Sequence, residues 1–268
     1  MNSQPPVQFG RAADDYRRHR AGFPDAFFER IANHGVGVAG QRLLDLGTGT
    51  GTLARGFALR GAEVTGLDLS GDMLAQAQAL DAEAGVTVGY VTAAAEETDL
   101  DGATFDTVTA GQCWHWFDRP RAAAECLRVL RPGGTLAIAH FDWLPLPGNV
   151  VEASETLIRQ HNPDWTMWGG TGIYRDWLTD MAVAGFEALE SFSFDVTVPY
   201  SHEAWRGRIR ASAGVGASLP ENAVDKFDAA HGALLQARFP DDPLAVPHRV
   251  FAAIGRKPGT PKNPIEGQ

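Results

Sequence analysis

The segment Arg42-Leu43-Leu44-Asp45-Leu46-Gly47-Thr48-Gly49-Thr50-Gly51-Thr52-Leu53-Ala54 decides the fold of this chain. Its apolar run, interrupted only by Asp45, is typical of a strand buried on both faces of a parallel sheet. Three alternate glycines follow, and glycine lets the backbone turn sharply and approach a ligand closely. The residues after them predict a helix whose N-terminal N–H groups and dipole face that ligand. The segment therefore predicts a strand, a glycine loop and a helix that together bind a nucleotide-like molecule.

Two kinds of nucleotide site fit this loop. Residues 49–54 have the G-x-G-x-x-A form of a dinucleotide-binding loop, and Asp68 lies about 20 residues further on, as that fingerprint expects. The pattern Asp45-x-Gly47-x-Gly49-x-Gly51 instead resembles motif I of the class I S-adenosylmethionine (SAM) dependent methyltransferases. A carboxylate inside the strand end would repel a pyrophosphate, whereas the resemblance implies that Asp45 helps to hold the loop and the methionine ammonium. Asp45 therefore favours the methyltransferase, and a glycine-rich turn without a ligand is a third possibility.

Further motifs follow in the order of the same family. Glu63–Ser70 predicts a second strand that ends on Asp68, where a carboxylate can accept hydrogen bonds from both hydroxyls of an adenosine ribose. The run Asp68-x-Ser70-x-x-Met73 resembles the family's second motif, with Ser70 as a helix N-cap. Phe105-Asp106-x-Val108 and the turn at 130–134 resemble two further motifs of this family. The ordered set covers roughly the first half of the chain and is more specific than any one motif.

Two segments resemble a narrower group, the trans-aconitate methyltransferase-like (methyltransferase type 11) enzymes that act on small molecules. Residues 9–24 resemble that group's opening, which implies that Tyr16 and Arg20 lie over the cofactor. Trp114-His115-Trp116-Phe117 resembles its H-W-F stretch, and a loop after the fourth strand borders the ligand crevice. His115 is the candidate general base, because histidine takes up a proton near neutral pH. The alternative is an ordered histidine between two tryptophans, since methyl transfer often needs no strong base.

The resemblance implies a set of cofactor contacts. The family has a residue pair after the third strand that binds the adenine edge, but Ala94 stands where an aspartate is usual, so backbone groups there would read the ring. The cofactor is expected to be SAM, with S-adenosylhomocysteine (SAH) as its product and no metal. The predicted contacts are Tyr16, Arg20, Asp45, Gly47, Thr48, Gly49, Gly51, Asp68, Leu69, Met73, Ala95, Glu96, Gln112 and Trp114.

Alternating strands and helices predict an α/β fold. The resemblance implies a Rossmann-like, seven-stranded, mostly parallel sheet with helices on both faces, its last strand antiparallel beside the fifth. A helical cap would come from the N-terminus and the second half. The expected organisation is one domain over 1–258, with a lid at about 9–34, a core at about 40–141, cap insertions at about 142–180 and 201–240, and a disordered tail at 259–268.

The second half carries the candidate acceptor site. Aromatic walls with a few polar anchors are typical of small-molecule sites. At helical spacing Trp205 and Arg208 share a face, so an arginine beneath a tryptophan is placed to bind a carboxylate. The same residues would serve equally well to fix the cap to the core. The predicted acceptor contacts are Trp143, Trp168, Trp205 and Arg208.

Composition limits the partners. A net charge of −10 argues against nucleic acid, which needs a clustered basic surface. The two cysteines lack metal-ligand spacing, and no apolar run approaches the roughly 20 residues of a membrane span. We therefore expect a cytoplasmic monomer or homodimer with a small-molecule substrate, no nucleic acid and no membrane. An NAD-dependent oxidoreductase, for which no Tyr-x-x-x-Lys pair is found, and a non-catalytic SAM-binding protein are the alternatives.

Overall fold

The computed structural model describes residues 22–259, which form two compact units. The first, called the loop unit here, comprises residues 22–141, 174–193 and 250–259. The second unit comprises residues 142–173 and 194–249. The predicted cofactor contacts Tyr16 and Arg20, about half of the predicted lid and nearly all of the predicted tail lie outside the described residues.

Within the described residues seven strands form one sheet in the order β3-β2-β1-β4-β5-β7-β6. Neighbouring strands among β1 to β5 pair in parallel. The last strand lies beside the fifth and is antiparallel to it, as predicted: Gly133 N donates to Lys257 O at the start of β5, and Leu144 N donates to Pro247 O at its end. The strands are β1 Arg42–Leu46, β2 Glu63–Asp68, β3 Gly89–Thr92, β4 Phe105–Gly111, β5 Leu130–Trp143, β6 Glu187–Tyr200 and β7 Leu244–Arg256.

Serine side chains cap the N-termini of two helices, α3 and α7. Ser70 Oγ accepts a hydrogen bond from Met73 N (3.3 Å), which confirms the predicted N-cap, and Ser201 Oγ accepts one from Ala204 N (3.1 Å). The α-helices are α1 Asp25–Ala32, α2 Thr52–Ala58, α3 Gly71–Ala84, α4 Arg119–Val129, α5 Val150–His161, α6 Arg175–Ala184, α7 His202–Arg210 and α8 Glu221–Arg238.

The fifth strand begins earlier than the sequence predicts. The turn at Pro132-Gly133-Gly134 predicts a helix as far as Arg131 and a strand from Thr135, but α4 ends at Val129 and β5 begins at once. Leu130 pairs with Phe105 of β4, and the next residue of β5 that pairs with β4 is Thr135. The proline-glycine segment between them leaves the β4 ladder, while Gly133 N still donates to Lys257 O. Proline disfavours a helical residue before it and has no N–H for a helix, which explains the early helix end.

Buried apolar side chains fill the loop unit around its central strands. Leu44 and Leu46 on β1, Val108 on β4 and Ile138 on β5 are each at most 1% exposed. Such two-sided burial is what the continuous apolar runs predicted. Among residues 22–259, none of the helices combines the length and apolarity that crossing a membrane requires.

Candidate functional site

The three loop glycines adopt left-handed backbone conformations, with φ of +58° at Gly47, +57° at Gly49 and +74° at Gly51. A Cβ at Gly47 would lie 2.8 Å from Cys113 Cβ, and one at Gly51 would lie 2.6 Å from the Tyr90 hydroxyl. At Gly49 the nearest heavy atom would be 3.5 Å away, an ordinary contact. Packing therefore requires glycine at the first and third positions, while at Gly49 only the backbone conformation does.

The carboxylate of Asp45 lies buried at the end of β1 and holds the glycine loop. Its Oδ2 accepts a hydrogen bond from Thr48 Oγ1 and its Oδ1 accepts one from Thr109 Oγ1, both at 2.7 Å. Burial raises the pKa of Asp45 from its ordinary 3.8 to about 6; the two hydroxyls oppose this rise, and the negative charge of Asp68 adds to it. The side chain is 1% exposed, so the contact seen here is with the loop.

We expect the raised pKa of Asp45 to appear in the pH dependence of stability. The folded state binds more protons than the unfolded state between the ordinary pKa of 3.8 and the folded value of about 6. Stability is therefore lost as pH rises through that window and stays lost above it. Relative to Asp45→Asn, the wild type should lose about 2–3 kcal/mol of unfolding free energy between pH 4 and pH 7. Denaturant unfolding of both proteins measures this, and a pH-independent difference would contradict it.

Asp68, at the end of β2, joins the loop to the start of α3. Its Oδ2 accepts a hydrogen bond from Gly49 N and its Oδ1 accepts one from Ser70 N, each at 2.9 Å. The side chain is half-buried, and each carboxylate oxygen has a second lone pair for a ligand hydroxyl. Asp68 thus places a carboxylate acceptor beside the backbone of the glycine loop.

Apolar surface lies next to this carboxylate. Leu69 is 74% exposed, and the half-buried Met73 extends its Cε over Gly49, 3.5 Å from where a Cβ would be. Large exposed apolar side chains beside a polar anchor suit a flat ring such as adenine. Ala95 is buried, and Glu96 Oε1 accepts a hydrogen bond from Asp118 N (2.7 Å). The Glu96 carboxylate is thus engaged within the protein, which leaves the backbone there as the group to read a ring.

The loop after β4 begins with a strained residue. Gln112 has φ +62°, unusual for a residue with a Cβ, and its N–H donates to Ala139 O (2.8 Å). Trp114 does not fit the predicted cofactor wall, because it is 0% exposed and its indole N–H donates to Asp180 Oδ2 at 3.0 Å. The short 3₁₀ helix Trp114–Trp116 turns that ring into the core instead.

His115 belongs to a group of rings at the carboxyl ends of β4 and β5. It is exposed, and its ring centroid lies 5.5 Å from that of the buried His140. The Tyr174 hydroxyl is 3.3 Å from His140 Nδ1, and the Tyr174 ring stacks on Trp177 at 4.2 Å. The contact between His140 and Tyr174 was not predicted from the sequence, although His140 lies near the carboxyl end of the fifth strand, where ligands bind in such sheets. No cluster of His, Cys, Asp and Glu suited to a metal ion occurs between residues 22 and 259.

In the second unit Arg208 lies over the face of Trp143, with its Cζ 4.5 Å from the ring centroid. The Trp143 ring meets Trp205 edge to face at 5.5 Å, so the two predicted tryptophans and the arginine do come together. Trp205, however, is 0% exposed, and its indole N–H donates to Ser154 Oγ (3.0 Å). Its predicted role as an acceptor wall does not fit, because the ring is part of the core of this unit.

A buried carboxylate, Glu155, supports the same region and was missed from the sequence. Its Oε1 accepts a hydrogen bond from Trp143 Nε1 and its Oε2 accepts one from Gly169 N, both at 2.8 Å. Burial raises the pKa of Glu155, which these two hydrogen bonds partly offset. The sequence feature that could have revealed Glu155 is its position as an acid on the apolar stripe of α5, between Val151 and Ile158. Trp168, beside Gly169, is 48% exposed and carries the Arg159 guanidinium over its ring at 3.9 Å.

Known proteins are similar to this chain in both sequence and fold. Residues 44–138 match the model of the family described as "Methyltransferase domain". An uncharacterized methyltransferase of Mycobacterium tuberculosis strain H37Rv is 30% identical over 212 residues, which are 72% of this chain and 79% of that relative. The chain belongs to the class I SAM-dependent methyltransferases.

Solved methyltransferase structures share this fold. A protein of Anaeromyxobacter dehalogenans assigned as a type II methyltransferase superposes with a TM-score of 0.64 at 24% identity, covering 90% of this chain and 99% of that one. Phosphoethanolamine N-methyltransferase 2 of Haemonchus contortus, in complex with SAM, gives 0.54 at 22% identity, covering 93% of this chain and 56% of that one. These likenesses show the fold and leave the acceptor open.

The family match covers part of the loop unit and none of the second unit. The matched residues 44–138 contain Asp45, the glycine loop, Asp68 and Gln112, all in the loop unit. The second unit lies entirely outside the match. The family match therefore assigns no role to the residues around Trp143.

Proposed function

We propose that this methyltransferase transfers the methyl group of SAM to a small-molecule acceptor, and that the loop unit binds SAM. The observation that carries the proposal is the position of Asp68, whose carboxylate is 2.9 Å from Gly49 N beside the exposed side chain of Leu69. A ribose at Asp68 and a ring on Leu69 and Met73 would satisfy both features. The Asp45 carboxylate then supports the loop and, in its ionised form, attracts the methionine ammonium.

The chemistry divides between cofactor and protein. SAM supplies an activated methyl group on a sulfonium sulfur, with SAH as the leaving group. The protein aligns the acceptor with that methyl and excludes water. His115 is the proposed proton acceptor where the acceptor atom carries a proton, and the hydrogen-bonded pair of Tyr174 and His140 lies next to it.

For the acceptor we propose a carboxylic acid. The guanidinium of Arg208 lies over the Trp143 ring, 4.5 Å from Cζ to the ring centroid, and a guanidinium is the side-chain group suited to bind a carboxylate with two parallel hydrogen bonds. Glu155 fixes the Trp143 ring through its indole N–H, so the stacking surface is rigid. Rigid aromatic surface with one charged anchor is the usual composition of a small-molecule site.

The cofactor proposal is tested by calorimetric titration of the purified protein with SAH, with NADH as the parallel titrant. We expect micromolar binding of SAH and none of NADH. Binding of NADH without SAH would overturn the proposal in favour of an oxidoreductase. SAH release with SAM and panels of carboxylic acids, phenols and amines then identifies the acceptor class, and SAM binding without turnover of any panel would favour a non-catalytic protein.

Replacing Arg208 with methionine tests the acceptor proposal. Methionine keeps an apolar stem over Trp143 but removes the charge-assisted hydrogen bonds, which are worth about 1.5–3 kcal/mol. The KM for a carboxylic acid should rise roughly 10- to 100-fold while SAH affinity stays unchanged. Arg238→Met is the matched control, because Arg238 also lies over an aromatic ring of the second unit, Phe239, at 5.5 Å. Equal KM values in both variants would exclude Arg208 from the acceptor site.

A further inference from the structure

A buried charged network lies beneath the glycine loop, built from three separate elements. Arg55 on α2 forms an ion pair with Asp81 on α3, with 2.7 Å between Arg55 Nε and Asp81 Oδ1. The hydroxyl of Tyr90, on β3, donates a hydrogen bond to Asp81 Oδ2 (2.6 Å). The two charged side chains are only 15% and 5% exposed. No part of the proposed chemistry uses these residues, and none of them is among the predicted site residues.

The network contacts the loop at two points. Arg55 Nη2 donates to Thr50 O at 2.8 Å and to Ala77 O at 3.2 Å, so one guanidinium joins the loop to α3. The Tyr90 hydroxyl occupies the space beside Gly51, where a Cβ would be 2.6 Å away. Gly51 is also the N-cap residue of α2. The network thus meets the loop where it passes into the helix.

These contacts fix the orientation of one peptide plane. The Thr50 carbonyl and the Gly51 N–H belong to the same planar peptide unit. Arg55 binds the carbonyl end, and the Gly51 N–H donates to Thr48 O (2.9 Å). A plane held at both ends cannot rotate, so the neighbouring loop N–H groups keep one direction.

The Tyr90 hydroxyl keeps its proton in this network. Burial raises the pKa of Tyr90 far above its ordinary value, and the adjacent Asp81 carboxylate adds to the rise. Tyr90 therefore remains a neutral hydrogen-bond donor to Asp81. Because a buried ion pair adds little net stability once its desolvation is counted, its main effect here is on geometry.

We propose that Arg55, Asp81 and Tyr90 are positioning residues for the cofactor: they hold the turn at Thr50-Gly51 in the conformation that binds SAM. The inference rests on the proposed function, because it assigns the network to SAM binding. It adds a determinant that lies outside the predicted cofactor contacts and acts through the backbone of the loop.

Arg55→Lys is the main test. Lysine keeps the positive charge beside Asp81, but its single ammonium cannot reproduce the guanidinium fork that reaches Asp81, Thr50 O and Ala77 O together. We expect the SAH dissociation constant to rise roughly 10-fold, consistent with loss of one charge-assisted hydrogen bond. Tyr90→Phe should raise it severalfold. Since both act through Asp81, the double variant should bind about as weakly as Arg55→Lys alone.

Arg60→Lys is the matched control, because Arg60 lies just after the same helix and makes comparable contacts away from the loop. It donates to Gly56 O (2.9 Å) and to Asp25 Oδ1 (2.6 Å). Its SAH affinity should equal that of the wild type. All titrations are run at a temperature where circular dichroism shows each variant fully folded, so that a change of affinity is not a change of folded fraction.

The outcomes separate the two proposals. Variants at Arg55 and Tyr90 that lower the melting temperature but bind SAH as the wild type does would show a purely structural network and overturn the inference alone. A wild-type protein that does not bind SAH would overturn the proposed function and the inference with it. Weakened binding in Arg55→Lys and Tyr90→Phe, with Arg60→Lys unchanged, supports both.

Discussion

Replacing Asp68 with alanine is expected to weaken SAH binding by at least about 100-fold. Two ribose hydroxyls would lose a charged acceptor, and each hydrogen bond to a charged group is worth about 1.5–3 kcal/mol. The protein itself should remain folded. Its Gly49 and Ser70 N–H groups lose their acceptor, but the site is half-buried and water can replace the carboxylate, so the expected cost in unfolding free energy is about 1 kcal/mol.

Calorimetric titration with SAH and denaturant unfolding measure the two effects separately. Asp72→Ala is the control, because Asp72 lies nearby in the first turn of α3 but is exposed. Asp68→Asn, which retains one neutral acceptor oxygen, should give an intermediate affinity. If Asp68→Ala binds SAH within about twofold of the wild type, the carboxylate holds only the loop and the ribose assignment fails.

The sequence predicted best what is encoded locally. The strand, glycine loop and helix at residues 42–58 carry their own signals of apolar run, glycine spacing and helix start, and the structure reproduces them. The end of β2 at Asp68 agrees with the prediction for the same reason. The antiparallel last strand followed from the family resemblance instead, since nothing local distinguishes the direction of a strand.

The directions of large aromatic side chains could not be predicted. Trp114 and Trp205 both follow a polar or small residue, and each sequence context fits a pocket wall as well as a core position. Their burial depends on partners far along the chain: Asp180 accepts the Trp114 N–H, and Ser154 accepts the Trp205 N–H. The ring contacts of His140 and the ion pair of Arg55 also join separate elements, so no local sequence pattern predicts them.

Gly47→Ala and Gly49→Ala should differ in their main effect, the first acting on stability and the second on SAH binding. Gly47→Ala is expected to destabilise the fold by about 2–5 kcal/mol: about 1–2 for the left-handed backbone and about 1–3 for the overlap with buried Cys113. Cys113 cannot move aside easily, because its Sγ donates to Leu46 O at 3.1 Å and its neighbour Trp114 is fully buried. At Gly49 only the backbone strain applies, since the added Cβ meets Met73 Cε at 3.5 Å, so the expected loss is about 1–2 kcal/mol.

For SAH affinity the order should be reversed, with Gly49→Ala having the larger direct effect. The open side of Gly49 is where we place the cofactor, so Gly49→Ala should reduce SAH affinity roughly 10- to 100-fold in a protein that is still folded. Denaturant midpoints and SAH titrations of the two variants give the comparison. A Gly49→Ala protein as unstable as Gly47→Ala would mean that packing already fills that side of the loop. Wild-type affinity in a stable Gly49→Ala protein would mean that the cofactor does not approach Gly49, and the orientation of SAM proposed for the loop would have to be abandoned.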